Sequence, residues 1–151
     1  YGTDRCRCSP QAVDKYLSRL SGPLLDRIDL YVEVPALDFD QLSRRSDAEP
    51  SAVIKARVNA ARAIQTARFG PEGPDCNAHM GQTELAQFCR LDEAGTALIK
   101  GAFDRMGLTA RSYDRILRVA RTIADLDGAE NIGVDHLAEA IQYRESSSLR
   151  R

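Results

Sequence analysis

Residues 109–126, TARSYDRILRVARTIADL, form the most regular amphipathic stretch in the sequence. Its apolar side chains fall at Tyr113, Ile116, Leu117, Ala120, Ile123 and Ala124. This spacing is typical of an α-helix with one buried face. Thr109 is placed to cap the start of the helix, and Gly128 to end it. We therefore predict an amphipathic helix whose apolar face is covered by the rest of the chain.

A second face of this helix carries Arg111, Arg115 and Arg118. Arg111 would lie in the first turn, where the helix dipole disfavours a cation by up to about 1 kcal/mol. A bound phosphate would offset that cost, because helix N-termini and guanidinium groups both attract anions. The alternative is a solvated arginine face in which Asp114 pairs with Arg118 at i, i+4. Spacing alone leaves both interpretations open.

The composition is that of a soluble globular protein, 43% hydrophobic and 28% charged. No run approaches the roughly 18 apolar residues of a membrane span, and the first residues lack the apolar stretch of a signal peptide. The net charge of -1 gives no bulk electrostatic argument for a free-standing nucleic-acid binder. We therefore expect a cytoplasmic protein without membrane contact.

Four cysteines occur, at Cys6, Cys8, Cys76 and Cys89. Without a secretion signal, they are expected to be reduced thiols. Cys6 and Cys8 form a C-x-C pair, which is at most half of a metal site, and no second close pair completes it in this chain. The sequence thus predicts no complete metal site within the chain, with Cys6 and Cys8 as a possible half-site.

The two histidines, His79 and His136, have no acidic or nucleophilic partner at a recognisable spacing. His79 falls with Cys76 in a loop rich in Pro and Gly, and His136 falls in the first turn of a predicted helix. Surface or capping roles are therefore expected for both histidines.

From residue 50 onward the pattern predicts an all-α bundle of four or five helices with short connections. An earlier helix is predicted after Ser9, which can cap a first turn opened by Pro10. In the helix from residue 50 to 69, the buried face is predicted to carry Ile54, Val58, Ala61 and Ile64. The other predicted helices cover about residues 83–90, 92–106 and 134–141, besides the helix of residues 109–126.

Residues 29–34 alternate in polarity and are rich in β-branched and aromatic side chains, which predicts a strand ending at Pro35. A lone strand has no partner within this chain. It either pairs with another molecule or belongs to a sheet in sequence that is absent here, and we favour the absent sheet.

Four segments together resemble one family: CRCSP (6–10), SGPLLDRIDLYVEVP (21–35), residues 109–126, and HLAEAIQYR (136–144). They are similar to the magnesium-chelatase-like AAA+ ATPases of bacteria, which include a competence protein that promotes DNA branch migration. The resemblance extends over essentially the whole chain and implies a mostly α fold. It implies that residues 1–45 are the C-terminal remnant of an ATPase core, with a helix and its last strand. Residues 46–145 would form the helical lid, and residues 146–151 a disordered tail.

The resemblance also implies residue roles. Arg27 matches the arginine finger, a catalytic residue that reaches the γ-phosphate held by a neighbouring subunit. Its alternative is a surface arginine paired with Asp26 or Asp29. Arg111 matches the nucleotide-binding lid arginine called sensor 2. Cys6 and Cys8 resemble the second half of a four-cysteine pattern whose first half lies upstream in the family.

As a member of this family, the full-length protein is expected to bind ATP and Mg²⁺ and to act on DNA. It would do so as a ring of identical subunits, expected to be a hexamer. The sequence has no G-x-x-x-x-G-K-[ST] phosphate loop, so this chain alone is expected to be inactive and to bind neither cofactor. The competing hypothesis is a helical binding module, without ATPase activity, for nucleic acid or an acidic partner protein.

Overall fold

The computed structural model describes residues 6–34, 37–39, 43 and 48–144. Over these residues the chain is helical, as the mostly α pattern predicts. The helices are α1 (Pro10–Leu17), α2 (Gly22–Leu25), α3 (Ser51–Phe69), α4 (Gln82–Phe88), α5 (Glu93–Met106), α6 (Ala110–Leu126) and α7 (Val134–Gln142). A 3-10 turn at Asn77–His79 lies between α3 and α4. None of the described helices combines the length and the apolar content needed to cross a bilayer.

The helix ends follow capping signals that are present in the sequence. The Ser9 hydroxyl accepts a hydrogen bond from the Ala12 amide at 3.3 Å, and the Thr109 hydroxyl accepts one from the Ser112 amide at 3.2 Å. At the end of α5, Gly107 adopts the left-handed conformation with φ of 60°. A capping hydroxyl is worth about 1 kcal/mol, so these local choices fix where helices begin.

Helix α6 lies at the centre of the bundle. It packs against α3, the 3-10 turn, α4 and α7, whereas α5 packs against α7. Ile116, Ala120 and Ala124 of α6 and Leu137 of α7 are all 0% exposed. Burying a side chain such as Ile or Leu stabilises the fold by about 1.5–3 kcal/mol. The predicted apolar face of residues 109–126 is therefore confirmed, with Tyr113 only partly buried at its edge.

The predicted buried face of α3 is largely wrong. Ala61 is buried, but Ile54, Val58 and Ile64 are exposed, and so is every residue from 51 to 60. Only the C-terminal half of α3 is partly covered, where it packs on α6. The apolar pattern describes the helix correctly but does not specify a partner for its first half.

No strand is present among the described residues, so the strand predicted at residues 29–34, whose partner was expected outside this chain, stays a prediction. Instead, the Tyr31 amide donates to the carbonyl of Tyr143, directly after α7, at 2.8 Å. A strand needs a neighbouring strand to satisfy its backbone groups, and none is described here. The remnant predicted as a helix and a last strand is thus α1, α2 and an irregular segment. The tail predicted at residues 146–151 lies outside the described residues.

Candidate functional site

The Asp26 carboxylate joins the segment after α2 to the N-terminal end of α6. It accepts hydrogen bonds from the hydroxyls of Thr109, at 3.3 Å, and Ser112, at 3.1 Å. The guanidinium of Arg144, which is 5% exposed, donates to the same Ser112 hydroxyl at 3.0 Å and lies 3.7 Å from Asp26. Because an acidic group is favourable at a helix N-terminus, Asp26 stabilises α6 as it anchors its own segment.

Further contacts fix residues 28–31 against the same end of the bundle. Arg144 donates to the carbonyl of Ile28, and its guanidinium lies 5.5 Å from the centre of the Tyr31 ring. Arg115 of α6 forms an ion pair with Asp29. Contacts between residues more than 80 positions apart therefore hold this segment in place.

Arg27 lies in the turn between these anchors and is exposed. The two carboxylates proposed as its surface partners are engaged by other residues, Asp26 by Thr109 and Ser112 and Asp29 by Arg115. No carboxylate among the described residues pairs with the Arg27 guanidinium. The charge of Arg27 is therefore presented to solvent by a turn whose neighbouring residues are fixed.

Arg111 is likewise exposed, in the first turn of α6 and next to Ser112. Within the described part of the chain its guanidinium has no charged partner. The two predicted arginines are each one residue away from the Asp26–Ser112 hydrogen bond, so the structure brings them to the same end of the bundle. Asp26 already places a carboxylate beside the N-terminus of α6, held by the Thr109 and Ser112 hydroxyls and not by first-turn amides.

The arginine face predicted on α6 is not a continuous free surface. Arg115 pairs with Asp29, and Arg118 donates to the carbonyl of Met80 at 2.7 and 3.2 Å. The pair of Asp114 with Arg118 that belonged to the alternative interpretation is not formed, and Asp114 instead accepts from the Gln82 amide group at 2.6 Å. Of the three arginines, Arg111 alone lacks a partner among the described residues.

A buried polar network that the sequence analysis missed joins α3, the 3-10 turn and α6. The Asp125 side chain is 0% exposed and accepts from Arg68 at 2.9 Å, from Arg121 at 3.1 Å and from Asn77 at 2.7 Å. The remaining donors of Arg121 reach the carbonyls of residues 129 and 130 at 2.6 and 2.8 Å. The signal in the sequence was Arg121 on the apolar face of α6, with Asp125 four residues later.

The network keeps Asp125 ionised. Burial by itself raises the pKa of Asp125, but hydrogen bonds from Arg68 and Asn77 and the charge of Arg121 outweigh burial, so the pKa is lowered. Asn77, which is 1% exposed, also donates to the Thr122 hydroxyl at 3.1 Å. Asp125 therefore holds the 3-10 turn on the surface of α6.

The cysteines occupy different environments. Cys89 is buried, and burial raises its pKa to about 11. A hydrogen bond from the Cys8 backbone lowers the pKa of the Cys6 thiol, and the hydrogen bond between the two side chains raises the pKa of Cys8. Among the described residues, no third ligand joins Cys6 and Cys8 in a metal-binding group.

The expectation that His79 lacks a partner is wrong. Its Nδ1 contacts the Asp75 carboxylate and lies 3.8 Å from the Cys76 sulfur. His136 accepts from the Gly133 amide at 2.9 Å, which is the capping role expected for it, and its Nε2 lies 3.2 Å from Asp127. The 3-10 turn explains the approach of Cys76 to His79, because it places residues three apart on the same side.

Comparison with known proteins identifies the family. Residues 48–144 match the family described as magnesium chelatase, subunit ChlI C-terminal, and residues 2–42 match magnesium chelatase, subunit ChlI. Competence protein ComM of Haemophilus influenzae is 43% identical over 139 residues, covering 91% of this chain and 26% of ComM. The uncharacterized protein YifB of Escherichia coli is 41% identical over 145 residues, covering 95% of this chain and 28% of YifB.

A more distant relative, an uncharacterized protein of Mycobacterium tuberculosis, is 36% identical over 145 residues, covering 96% of this chain and 29% of that protein. The chain therefore spans only 26 to 29% of the length of these relatives. The longer family match coincides with the helical bundle, and the shorter one includes Asp26 and Arg27. The chain belongs to the magnesium-chelatase-like family that includes ComM and YifB.

Proposed function

We propose that this chain forms the lid, and the adjoining end of the ATPase core, of an AAA+ motor built as a ring of identical subunits. The motor would be a hexamer that acts on DNA, as in branch migration. The similarity to a competence protein and the match to both magnesium chelatase families support this proposal. Activity would belong to the full-length protein, because the phosphate loop is absent from this sequence.

The observation that carries the proposal is the placement of Arg27 and Arg111. Both are exposed at one end of the bundle, and neither has a charged partner among the described residues. The Asp26 hydrogen bonds fix the backbone segment next to Arg27 and the start of α6, which carries Arg111. Guanidinium groups match phosphate oxygens in charge and geometry. Arg27 would stabilise negative charge on the nucleotide of a neighbouring subunit, and Arg111 would bind nucleotide next to the lid.

Among the described residues, the two free guanidinium groups could contact the phosphates of ATP, but Asp26 is not available as a ligand for Mg²⁺. Asp26, the carboxylate nearest to Arg27 in sequence, is already engaged by Thr109 and Ser112, so it is not free to bind Mg²⁺. ATP hydrolysis would supply the free energy for movement, while this chain would contribute two cations that contact phosphate. We therefore expect the isolated chain to bind ATP weakly and not to hydrolyse it.

The competing hypothesis, a binding module for nucleic acid or an acidic protein, needs an arginine surface that is free to bind. Arg115 and Arg118 are instead held by Asp29 and by the carbonyl of Met80. A DNA affinity of the isolated chain that falls steeply and linearly on a logarithmic salt axis would favour the binding module. Weak or absent DNA binding at low salt favours the lid.

The test of the proposal is ATP hydrolysis by full-length protein carrying Arg27→Ala. ATP binding should stay nearly intact, while hydrolysis falls by about 10³-fold or more, the typical worth of an arginine finger. Arg7→Ala, which removes another exposed arginine, is the matched control and should hydrolyse ATP normally.

A mixing experiment tests action between subunits. Arg27→Ala protein is combined with a variant that lacks a functional phosphate loop, and co-assembly is confirmed by capturing one variant through an affinity tag carried only by the other. Partial recovery of hydrolysis is expected, because the second variant can lend its Arg27 to a neighbouring site. No recovery in any co-assembled mixture would contradict the assigned role of Arg27.

A further inference from the structure

Asp75, Cys76 and His79 lie together in the loop between α3 and α4, and the family resemblance assigns them no role. The sequence D-C-x-x-H enters the 3-10 turn Asn77–His79, with Cys76 as the residue before its first turn. The His79 amide donates to the Cys76 carbonyl at 3.0 Å, which closes the turn. Residues three apart share one side of a 3-10 turn, so the Cys76 and His79 side chains meet.

The three side chains converge on one point. The Cys76 sulfur lies 3.8 Å from His79 Nδ1, and an Asp75 carboxylate oxygen contacts the same nitrogen. The sulfur, nitrogen and oxygen all lie within 4.8 Å of one another. Around a tetrahedral Zn²⁺ ion, bond lengths of about 2.3 Å to sulfur and 2.0 Å to nitrogen separate these two ligands by about 3.5 Å. The sulfur–nitrogen separation needs only a small adjustment, whereas the Asp75 oxygen, which now contacts Nδ1 directly, must move to about 3.3 Å from it for both atoms to bind one ion.

A catalytic triad of the same residue types would look different. In such a triad the histidine uses one ring nitrogen for the nucleophile and the other for the carboxylate. Here Cys76 and Asp75 face the same nitrogen of His79. Donors that approach a single point suit a shared cation better than proton transfer along a chain.

Contacts to helices α3 and α6 fix the backbone of the loop. Asn77, inside the turn, belongs to the Asp125 network, and its backbone amide donates to the Gln65 side-chain oxygen at 3.3 Å. Met80, directly after the turn, is 2% exposed, and its carbonyl accepts from Arg118. The backbone between Cys76 and His79 and directly after His79 is thus fixed, which limits the ordering that metal binding must impose there.

We propose that Asp75, Cys76 and His79 bind a Zn²⁺ ion through a carboxylate oxygen, a thiolate and Nδ1. Sulfur, imidazole and carboxylate are the donors that Zn²⁺ takes in proteins, and three protein ligands leave one position for water. The sequence prediction of no complete metal site is replaced by this proposal, which does not depend on the ATPase function. His79 also lines an open cavity of about 570 Å³, so an ion can reach the site from solvent.

The test uses Co²⁺ as a spectroscopic substitute for Zn²⁺ in the untagged, reduced 151-residue chain. Cys6 and Cys8 are first changed to Ser, because their C-x-C pair could bind cobalt by itself. One Co²⁺ per chain should give the thiolate-to-cobalt charge-transfer band and the intense visible bands of a four-coordinate ion, and Zn²⁺ should displace it. Absence of these bands in the Cys6→Ser/Cys8→Ser chain would overturn the proposal.

Ligand variants in the same background assign the site. Cys76→Ser should abolish the charge-transfer band, and Asp75→Asn and His79→Gln should weaken binding by at least about 10-fold, the loss caused even by changes outside the ligand set. Asp75 and His79 are exposed, so these changes should leave the fold intact, as circular dichroism would verify. His136→Gln is the matched control, since His136 also faces a carboxylate but has no neighbouring cysteine, and it should bind cobalt normally. Bands that survive Cys76→Ser, or an affinity unchanged by Asp75→Asn, would refute the three-ligand site.

Discussion

Asp125 is the residue on which the attachment of the 3-10 turn to α6 depends. It is buried between the cations of Arg68 and Arg121 and also accepts from Asn77. Asp125→Asn would leave two guanidinium groups in the interior without a counter-charge. We expect this change to lower the free energy of unfolding by about 3–5 kcal/mol, the cost of breaking a buried ion pair, as measured by urea denaturation.

The matched control is Asp114→Asn in the same helix. Asp114 is only partly buried, and its partner is the neutral Gln82 side chain. The control should cost less than about 1 kcal/mol, because a neutral hydrogen bond near the surface contributes little net stability. Equal losses for the two variants would show that the Asp125 network does not stabilise the fold as described.

Acid should remove the contribution of Asp125. The folded-state pKa of this group is lowered, because the Arg68 and Asn77 hydrogen bonds and the charge of Arg121 outweigh the effect of burial. In the unfolded chain the pKa is about 3.9. The stabilisation is therefore complete above that pH and is lost as pH falls through the lower, folded-state pKa.

The stability difference between the unmodified chain and Asp125→Asn should consequently be constant near neutral pH and shrink below about pH 4. Denaturation curves recorded across that range measure it. A difference that stays the same well below pH 4 would mean that folding does not lower the pKa of the Asp125 carboxylate.

At the scale of single elements, α5 offers a paired test of backbone conformation. Gly101 lies inside the helix and Gly107 at its end, and a methyl group added at either position meets no atom within 4 Å. The two glycines differ in φ, which is 60° at Gly107. Gly101→Ala should stabilise the chain by about 0.5–1 kcal/mol, because alanine is the better helix former.

Gly107→Ala should destabilise the chain by about 1–2 kcal/mol, the cost of the left-handed conformation for a residue with a Cβ atom. Thermal unfolding of the two variants measures both signs. Changes of the same sign would contradict the assigned end of α5.

Helix positions were largely predictable from the sequence, because caps and apolar periodicity act within a few residues. Two helices begin at side-chain caps, which are Ser9 and Thr109, and α5 ends at Gly107, as the chemistry of these residues predicts. The apolar periodicity of a helix does not indicate which part of the chain covers its apolar face. For this reason the apolar positions Ile54 and Val58 of α3 were expected inside but lie exposed.

Across the whole molecule, the resemblance selected Arg27 and Arg111, but their surroundings could not be predicted. The Asp26 hydrogen bonds to Thr109 and Ser112 join residues 83 and 86 positions apart. Periodicity and capping carry no information about such contacts. Asp75, Cys76 and His79 were missed for a related reason, because no helix or strand pattern marked the 3-10 turn that brings them together.

These long-range contacts divide the arginines into those with partners in the fold and those without. Arg115, Arg118 and Arg144 hold the loop and the segment after α2 against the bundle. Arg27 and Arg111 lie outside that set, with no charged partner in the described part of the chain. The chain therefore carries two kinds of arginine, those that stabilise the fold and those that we propose to act on nucleotide.

Replacement of Arg111 by alanine tests this separation most directly, with one stability measurement and one activity measurement. In the 151-residue chain, Arg111→Ala should change the free energy of unfolding by no more than about 0.5 kcal/mol, as expected for an exposed residue without a partner. In the full-length protein it should reduce ATP hydrolysis by about 10²-fold or more, the typical loss when one group that stabilises transition-state charge is removed. Arg90→Ala, at another exposed arginine, should change neither quantity. Normal hydrolysis by Arg111→Ala protein, or a loss of several kcal/mol in the stability of the chain, would show that Arg111 does not have the proposed role.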